Sequence, residues 1–274
     1  MLNVHSSNLP FIPAFRLGVA NSENMILLAC DLDNTLIRGQ PQDGDVPVEY
    51  CGERIITYMP RQTLEMIANL NSRIALIPVT SRSIEQYRRI KVFHEYAPAY
   101  AIVSGGGVIL QGDKIDEEWD MYRKNIVNSA RGELERLFRL LQDDIRVEKS
   151  KIIDEAFIFA KSASAQRVID DLKYNTVSLD MLYHNEKIYV LPTGINKGVA
   201  LAEVKMRLNA DCVIAAGDSI PDIALLNEAD YALAPSRELA ARVNAPHILI
   251  KPETADFSVF IMKFAAGFAC SMTS

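Results

Sequence analysis

The chain is poor in the residues that would place it in an oxidising compartment, in a membrane or on a nucleic acid. Its four cysteines, Cys30, Cys51, Cys212 and Cys270, form no C-x-x-C pair and no metal-ligand spacing. Cys30 and Cys212 lie in apolar runs, where a thiol acts as a small hydrophobe, so a reduced, cytoplasmic protein is expected. The N-terminus has no basic start followed by an apolar stretch, and Pro10 and Pro13 interrupt it, so no signal peptide is expected. Phe257 to Phe268 is apolar but short, with Lys263 in its middle. It falls below the ~20 residues of a membrane span and is expected to be a terminal helix closing the core. No run of lysines or arginines suits an anionic membrane surface. The formal charge of -6 also argues against a general nucleic-acid binder.

With 274 residues, 49% of them hydrophobic and 23% charged, the chain can bury a full core in one large or two ordinary domains. The stretch that organises it is Leu27-Leu28-Ala29-Cys30-Asp31-Leu32-Asp33-Asn34-Thr35-Leu36. The apolar run reads as a strand buried on both faces, leaving Asp31 and Asp33 at its carboxyl end, where open α/β sheets build their ligand crevices. Two neighbouring acids repel each other unless a cation or a shared proton intervenes. By itself a D-x-D is more often an Asx turn, so its meaning depends on the rest of the chain.

Residues 1 to about 24 read as an extended lead-in, and Gly39, Pro41, Gly44 and Pro47 as a loop over the active face. Tyr58 to Leu70 has helical spacing, with Pro60 suited to a first turn. Ile74 to Val79 is a second buried strand, although Pro78 lacks a ladder donor. Ser83 to Phe93 reads as a helix and Ala101-Ile102-Val103 as a third strand. This alternation predicts a parallel sheet with crossover helices. After Asp113 the rhythm changes. A helix over Tyr122 to Leu141 precedes strands at Ile145 to Ile152 and Ala156 to Ala160. A helix over Ala163 to Tyr174 precedes strands at Val177 to Tyr183 and Lys187 to Leu191. We read an inserted α+β module, 113–190, above the carboxyl edge of a core built from 1–112 and 191–274. The parallel pattern resumes with a helix opened by Asn196-Lys197-Gly198 and a strand at Cys212 to Ala216. A helix over Ile223 to Ala229, a strand at Tyr231 to Leu233, a helix over Glu238 to Val243 and a last strand at His247 to Ile250 follow.

Separate strand ends thus carry Asp31/Asp33, Thr80/Ser81 and Asp218/Asp222, and Lys197 opens an intervening helix. Each alone has a turn or cap explanation. Together they are the parts of a phosphoryl site: carboxylates for a hard, oxygen-loving Mg²⁺ ion, and a hydroxyl, an ammonium and helix-start amides for phosphate oxygens.

The four stretches resemble the four motifs of the haloacid dehalogenase (HAD) superfamily, specifically its Cof-type, sucrose-phosphatase-like branch. Asp31-Leu32-Asp33-Asn34-Thr35-Leu36 is similar to the first motif, Thr80 before Ser81-Arg82 to the second, Lys197 to the third, and Gly217-Asp218-Ser219 with Asp222 to the fourth. The module 113–190 resembles that branch's αββαββ cap. The resemblance implies a Rossmann-like α/β core and a Mg²⁺-dependent phosphate monoester hydrolase acting on a small phosphorylated sugar or polyol. It implies Asp31 as nucleophile and Asp33 as acid and base, and proximity to Asp31 is expected to help raise the Asp33 pKa for that role. Thr80, Ser81 and Lys197 would bind the phosphoryl group, and Asp31, the Asp33 carbonyl, Asp218 and Asp222 the metal. Three departures stand out. Asn34 and Ser81 occupy positions where glycine is commonest, and Pro221 replaces the usual asparagine. The sucrose-phosphatase group shares the Asn, which hints at substrate class. In the cap, Trp119, Lys149, Tyr183, His184 and Lys187 are candidates for substrate choice. A phosphomutase of the same superfamily and a catalytically silent phospho-ligand-binding module remain alternatives, and the sequence leaves the oligomeric state open.

Overall fold

The computed structural model describes residues 25–271, so the expected lead-in over 1–24 lies outside the described residues. In chain order the elements are β1 (Ile26–Asp31), β2 (Asp45–Cys51), β3 (Arg54–Pro60), α1 (Arg61–Ala68), β4 (Ile74–Val79), α2 (Ile84–Arg88), α3 (Val92–Glu95), β5 (Tyr100–Val103), β6 (Val108–Gln111), β7 (Lys114–Ile115), α4 (Glu117–Asp143), β8 (Lys149–Ile153), β9 (Phe157–Lys161), α5 (Ala165–Leu172), β10 (Leu179–His184), β11 (Lys187–Pro192), α6 (Lys197–Leu208), β12 (Cys212–Ala216), α7 (Ile223–Asn227), β13 (Tyr231–Ala234), α8 (Arg237–Ala240), β14 (His247–Ile250) and α9 (Phe257–Ser271).

An eight-stranded sheet runs in the order β14-β13-β12-β1-β4-β5-β6-β7. β1 is central and pairs in parallel with β12 on one side and β4 on the other. This explains why it reads as an unbroken apolar run: every residue of it is buried. Alternate side chains feed two cores. Ile26, Leu28 and Cys30 pack with Ile261, Met262 and Ala265 of α9, and Leu27 and Ala29 with Ala200, Leu201 and Val204 of α6. Pro78 is tolerated because the β4–β5 pairing registers only at Val79↔Ile102. Its missing donor faces a neighbour that has not yet joined the ladder.

Two expectations over the flank of β1 are corrected. The helix expected from Tyr58 starts only at Arg61, because Arg54–Pro60 pairs antiparallel with Asp45–Cys51 as a β-hairpin. Pro60 therefore ends a strand and caps α1. The helix expected over Ser83 to Phe93 breaks into α2 and α3, because Lys91 N–H donates to the Val48 carbonyl at 2.8 Å and draws the chain onto that hairpin. Beyond β5 the chain turns back through β6 and β7 as an antiparallel edge.

Between β7 and α6 lies a second sheet, order β10-β11-β9-β8, all antiparallel. Its alternation of side chains sets two faces. Ile158, Ala160, Val168, Ile188 and Val190 form a core with Leu134, Leu137 and Leu141 of α4. The other face carries Phe157, Phe159, Leu182, Tyr189 and Leu191. The strand expected from Ile145 begins later, since Val147 N–H turns back to Asp144 O and Ile145 is wholly exposed. The strand expected from Val177 begins at Leu179, because Glu133 takes the Val177 and Ser178 amides. No helix among the described residues is long and apolar enough to cross a membrane.

The two sheets are tied by polar contacts. In the β8–β9 turn, the Asp154 carboxylate accepts from Ile84 N–H at 2.9 Å and from the Ser104 hydroxyl. Trp119 Nε1 donates to Gly106 O at 3.1 Å. A cap role for Trp119 in substrate choice is thereby corrected: the indole is buried in the core under the first sheet.

Candidate active site

The carboxyl end of the large sheet gathers the expected residues. Asp31 ends β1 buried, and Thr80, also buried, follows β4. Thr80 N–H pairs with Ile102 O at 2.8 Å, while its hydroxyl accepts from Arg82 N–H at 3.1 Å and keeps its own proton to donate. Half-buried Ser81 sits on the same turn. Asn196 caps α6 by accepting from the Gly198 and Val199 amides, both at 2.9 Å. That cap places Lys197 at the helix start and aims it inward. Close approach of the 104–107 loop helps: a Cβ on Gly106 would lie 2.2 Å from Asn196 O, and its φ of 97° favours glycine.

Lys197 is the hub. Its ammonium donates to Asp31 Oδ1 and to Asp222 Oδ1, both at 2.5 Å, and all three side chains are buried. Asp222 has its other oxygen engaged too, accepting from Asp218 N–H (3.2 Å), Ser219 N–H (3.0 Å) and the Ser219 hydroxyl (2.7 Å). This is the capping geometry of a short helical turn, and it accommodates Pro221, whose missing N–H needs no partner in a first turn. Gly217 is required beside it: a Cβ there would lie 2.4 Å from the Asp222 Cβ.

Asp31, Asp218 and Asp222 offer oxygen atoms within 4.8 Å of one another. Three carboxylates against one ammonium leave two negative charges uncompensated, and the electrostatics record the strain. Burial, then Asp222, pushes Asp31 well above the usual carboxylate range, with Lys197 opposing. Burial, then Asp222, pushes Asp218 to about 6. Burial would lower Lys197, but Asp222 and Asp31 outweigh it and raise it. A divalent, oxygen-seeking cation fits this set in charge and donor type.

Asp33 differs from expectation. Burial alone would raise it, but the Arg82 guanidinium grips both its oxygens, at 2.8 Å each, and holds it below the usual range. Proximity to Asp31 is expected to help raise it; the contact with Arg82, which no motif announces, lowers it instead. Asn34 also gains a local explanation. Its φ of 59° is left-handed, where glycine and asparagine are the residues that fit, and its side chain bonds to Asp218.

Among the cap candidates, His184 and Lys187 flank the β10–β11 turn and face the carboxylates: Lys187 acts on Asp33, and His184 feels Asp222. Burial, then Lys187, carries His184 below its usual value against Asp222. Tyr183 points to the helix-facing core, whereas Lys149, at the far end of the edge strand β8, lies 6.0 Å over the Phe159 ring on the same face as Tyr189. Tyr189, absent from the sequence reading, faces the site. It is nine-tenths buried, and its hydroxyl feels Lys197, Asp31, Asp222 and Asp33, although burial is the main cause of its raised pKa. The alternation that puts Leu191 beside it on the same face could have revealed it.

A family model described as sucrose-6F-phosphate phosphohydrolase matches residues 24–234. No curated protein sequence matches the chain. Among solved structures, the sucrose-phosphatase of Synechocystis sp. PCC6803, in complex with sucrose and phosphate, is similar with a TM-score of 0.64 at 15% identity, covering 90% of this chain and 98% of that one. A HAD subclass IIB sugar phosphatase gives 0.57 at 13%, covering 88% and 100%. The trehalose-6-phosphate phosphatase of Aspergillus fumigatus gives 0.51 at 14%, covering 89% and 93%. At these identities the structural likeness is one of fold.

Proposed function

The chain belongs to the sucrose-6F-phosphate phosphohydrolase family, and from that premise we propose that it is a Mg²⁺-dependent phosphatase hydrolysing a small sugar phosphate through an aspartyl-phosphate on Asp31. The observation that carries this reading is Lys197, held at 2.5 Å by both Asp31 and Asp222. It fixes Oδ1 of Asp31 and leaves Oδ2 for in-line attack on phosphorus. As that bond forms, the bond to the sugar oxygen breaks, and Asp33, ionised against Arg82, passes to the leaving oxygen the proton that a monoanionic phosphate ester brings with it. Asp33 then takes a proton from water as the water attacks the same phosphorus, which frees phosphate and restores Asp31. The Thr80 hydroxyl, Ser81 and Lys197 stabilise the phosphoryl oxygens during both transfers.

Asp31, Asp218 and the Asp33 backbone carbonyl would hold Mg²⁺, with Asp222 in support, since both Asp222 oxygens are already committed to Lys197 and the 218–219 amides. Bound there, the ion supplies charge neutralisation that lets an anionic carboxylate meet an anionic phosphate. The division of labour between a core (1–112 and 191–274) and a substrate-selecting cap (113–190) belongs to the same proposal. The cap's inward face supports a sugar: half-buried Phe159, packed edge-on against Tyr189, offers apolar ring surface, and Lys187 and His184 offer polar atoms at the turn. The buried thiols of Cys30 and Cys212 suit a reducing, cytoplasmic setting.

The test is phosphate release from sucrose 6-phosphate, trehalose 6-phosphate and glucose 6-phosphate, with Mg²⁺ or with EDTA. We expect Mg²⁺-dependent release from at least one, abolished by Asp31→Asn in a folded protein. Release from none, or undiminished release by Asp31→Asn, overturns the reading.

A further inference from the structure

Glu49 lies on β2 with its side chain entirely out of solvent. A buried carboxylate is costly unless donors surround it, and three do. Arg82 Nη1 donates to Oε2 at 2.7 Å, the Thr57 hydroxyl to the same oxygen at 3.1 Å, and Arg89 Nε to Oε1 at 3.1 Å. Glu49 and Thr57 belong to the β2–β3 hairpin, whereas Arg82 follows Thr80 on the turn after β4. Arg82 is itself half-buried, with 11% of its side chain exposed, and its other edge forms the two 2.8 Å bonds to Asp33. One planar guanidinium is thus fixed from behind by the hairpin while its Nε–Nη2 edge meets Asp33 in matching bidentate geometry.

We propose that Glu49 is a positioning residue: acting through Arg82, it sets the plane of the Asp33 carboxyl group beside Asp31, although it touches neither substrate nor metal. The inference rests on the role given to Asp33 above. When the phosphorus–oxygen bond to the leaving group breaks, its electron pair stays on the leaving oxygen, which takes the proton that Asp33 has accepted from the monoanionic ester and departs as an alcohol. Asp33 becomes a carboxylate, and the Arg82 fork receives that charge and presents it to the incoming water. Without Glu49 the guanidinium would be free to swing toward the nearest uncompensated anions, Asp31 or the phosphate itself. A fixed partner prevents this, and the Thr57 and Arg89 donors keep that partner in place.

The role has a signature that simple loss of structure lacks. Leaving groups differ in their need for a proton: p-nitrophenolate leaves without one, whereas phenolate, with a conjugate acid near the tyrosine value of about 10, benefits from one. The measurement is kcat/KM, which reports steps through leaving-group departure, for p-nitrophenyl phosphate and phenyl phosphate with Mg²⁺. Wild type is compared with Glu49→Gln, Arg82→Lys and Thr57→Val. We expect Glu49→Gln and Arg82→Lys to lose at least about tenfold more on phenyl than on p-nitrophenyl phosphate, and Thr57→Val to shift the same way by less. Should Glu49→Gln fail to fold, the other two variants decide. Equal losses on both esters, or no loss in folded variants, overturn the proposal. A wild type inert toward both esters would instead remove the phosphatase reading on which it rests.

Discussion

The Lys197 ammonium lies 2.5 Å from Asp31 Oδ1, with both side chains buried. A residue that opens a helix thereby neutralises a carboxylate at the end of the central strand, 166 positions away in the chain. Asp222 shares the same ammonium, so the contact couples the first, third and fourth motifs into one unit.

Removing that cation should damage both stability and chemistry. Lys197→Met leaves Asp31 and Asp222 buried and facing each other, and breaking a buried pair by removing one partner costs on the order of 3–5 kcal/mol. Urea unfolding of the metal-free variant should show that loss. Turnover in Mg²⁺ should fall at least ~100-fold, the scale of a lost charge stabiliser.

Metal affinity should depend on pH through Asp218. With its pKa at about 6, a proton competes with Mg²⁺ below that pH, and affinity should fall about tenfold per pH unit for each proton displaced. Isothermal titration across pH 5 to 8 (roughly the span around that value) measures it. The effect on folding has a definite sign. Asp218 binds a proton more readily folded than unfolded, so its contribution makes metal-free stability fall as pH rises from about 4 to about 6. Asp218→Asn should lack that decline, gaining up to about 3 kcal/mol over wild type at neutral pH relative to acid pH in matched urea titrations.

Gly217→Ala should act on the site through a single methyl group. The added Cβ would meet the Asp222 Cβ at 2.4 Å, and forcing such a contact costs roughly 1–3 kcal/mol. Because Asp222 fixes the Asp218 and Ser219 amides, weakened Mg²⁺ binding should accompany the lost stability. Titration calorimetry beside thermal unfolding tests both.

Trp119 gives a contrasting case. It is the one tryptophan in the chain, buried and bonded to Gly106 O. Trp119→Ala should lose about 3–5 kcal/mol, while the milder Trp119→Phe should leave KM for a sugar phosphate unchanged. A raised KM in a stable Trp119→Phe would restore a substrate role to this residue.

These residues also mark what the sequence discloses. The parallel strands are legible because strands buried on both faces must be continuously apolar, as Ile26–Asp31 and Cys212–Ala216 are. The site carboxylates are legible because strand ends concentrate them at one edge. The β2–β3 hairpin escapes: its apolar residues Ile55, Ile56, Tyr58 and Met59 run into the helical spacing of α1, and only pairing with Asp45–Cys51 distinguishes them. Glu49 and Arg82 escape for another reason. A buried carboxylate looks like a surface one in sequence, and the two are brought together across 33 positions by the fold. Asn34 escapes in part: its left-handed backbone angle is invisible in the letter alone.

The most direct test of the account is to look for the phosphoryl group on Asp31. In Asp33→Asn, p-nitrophenyl phosphate can still transfer its phosphoryl group because its leaving group needs no proton, while hydrolysis of the adduct lacks its base. Mixing this variant with the ester and Mg²⁺, quenching in acid and mapping peptides by mass spectrometry should show one hydroxylamine-sensitive phosphate on Asp31. Release of p-nitrophenolate with no adduct on Asp31, or an adduct on another residue, would contradict the account.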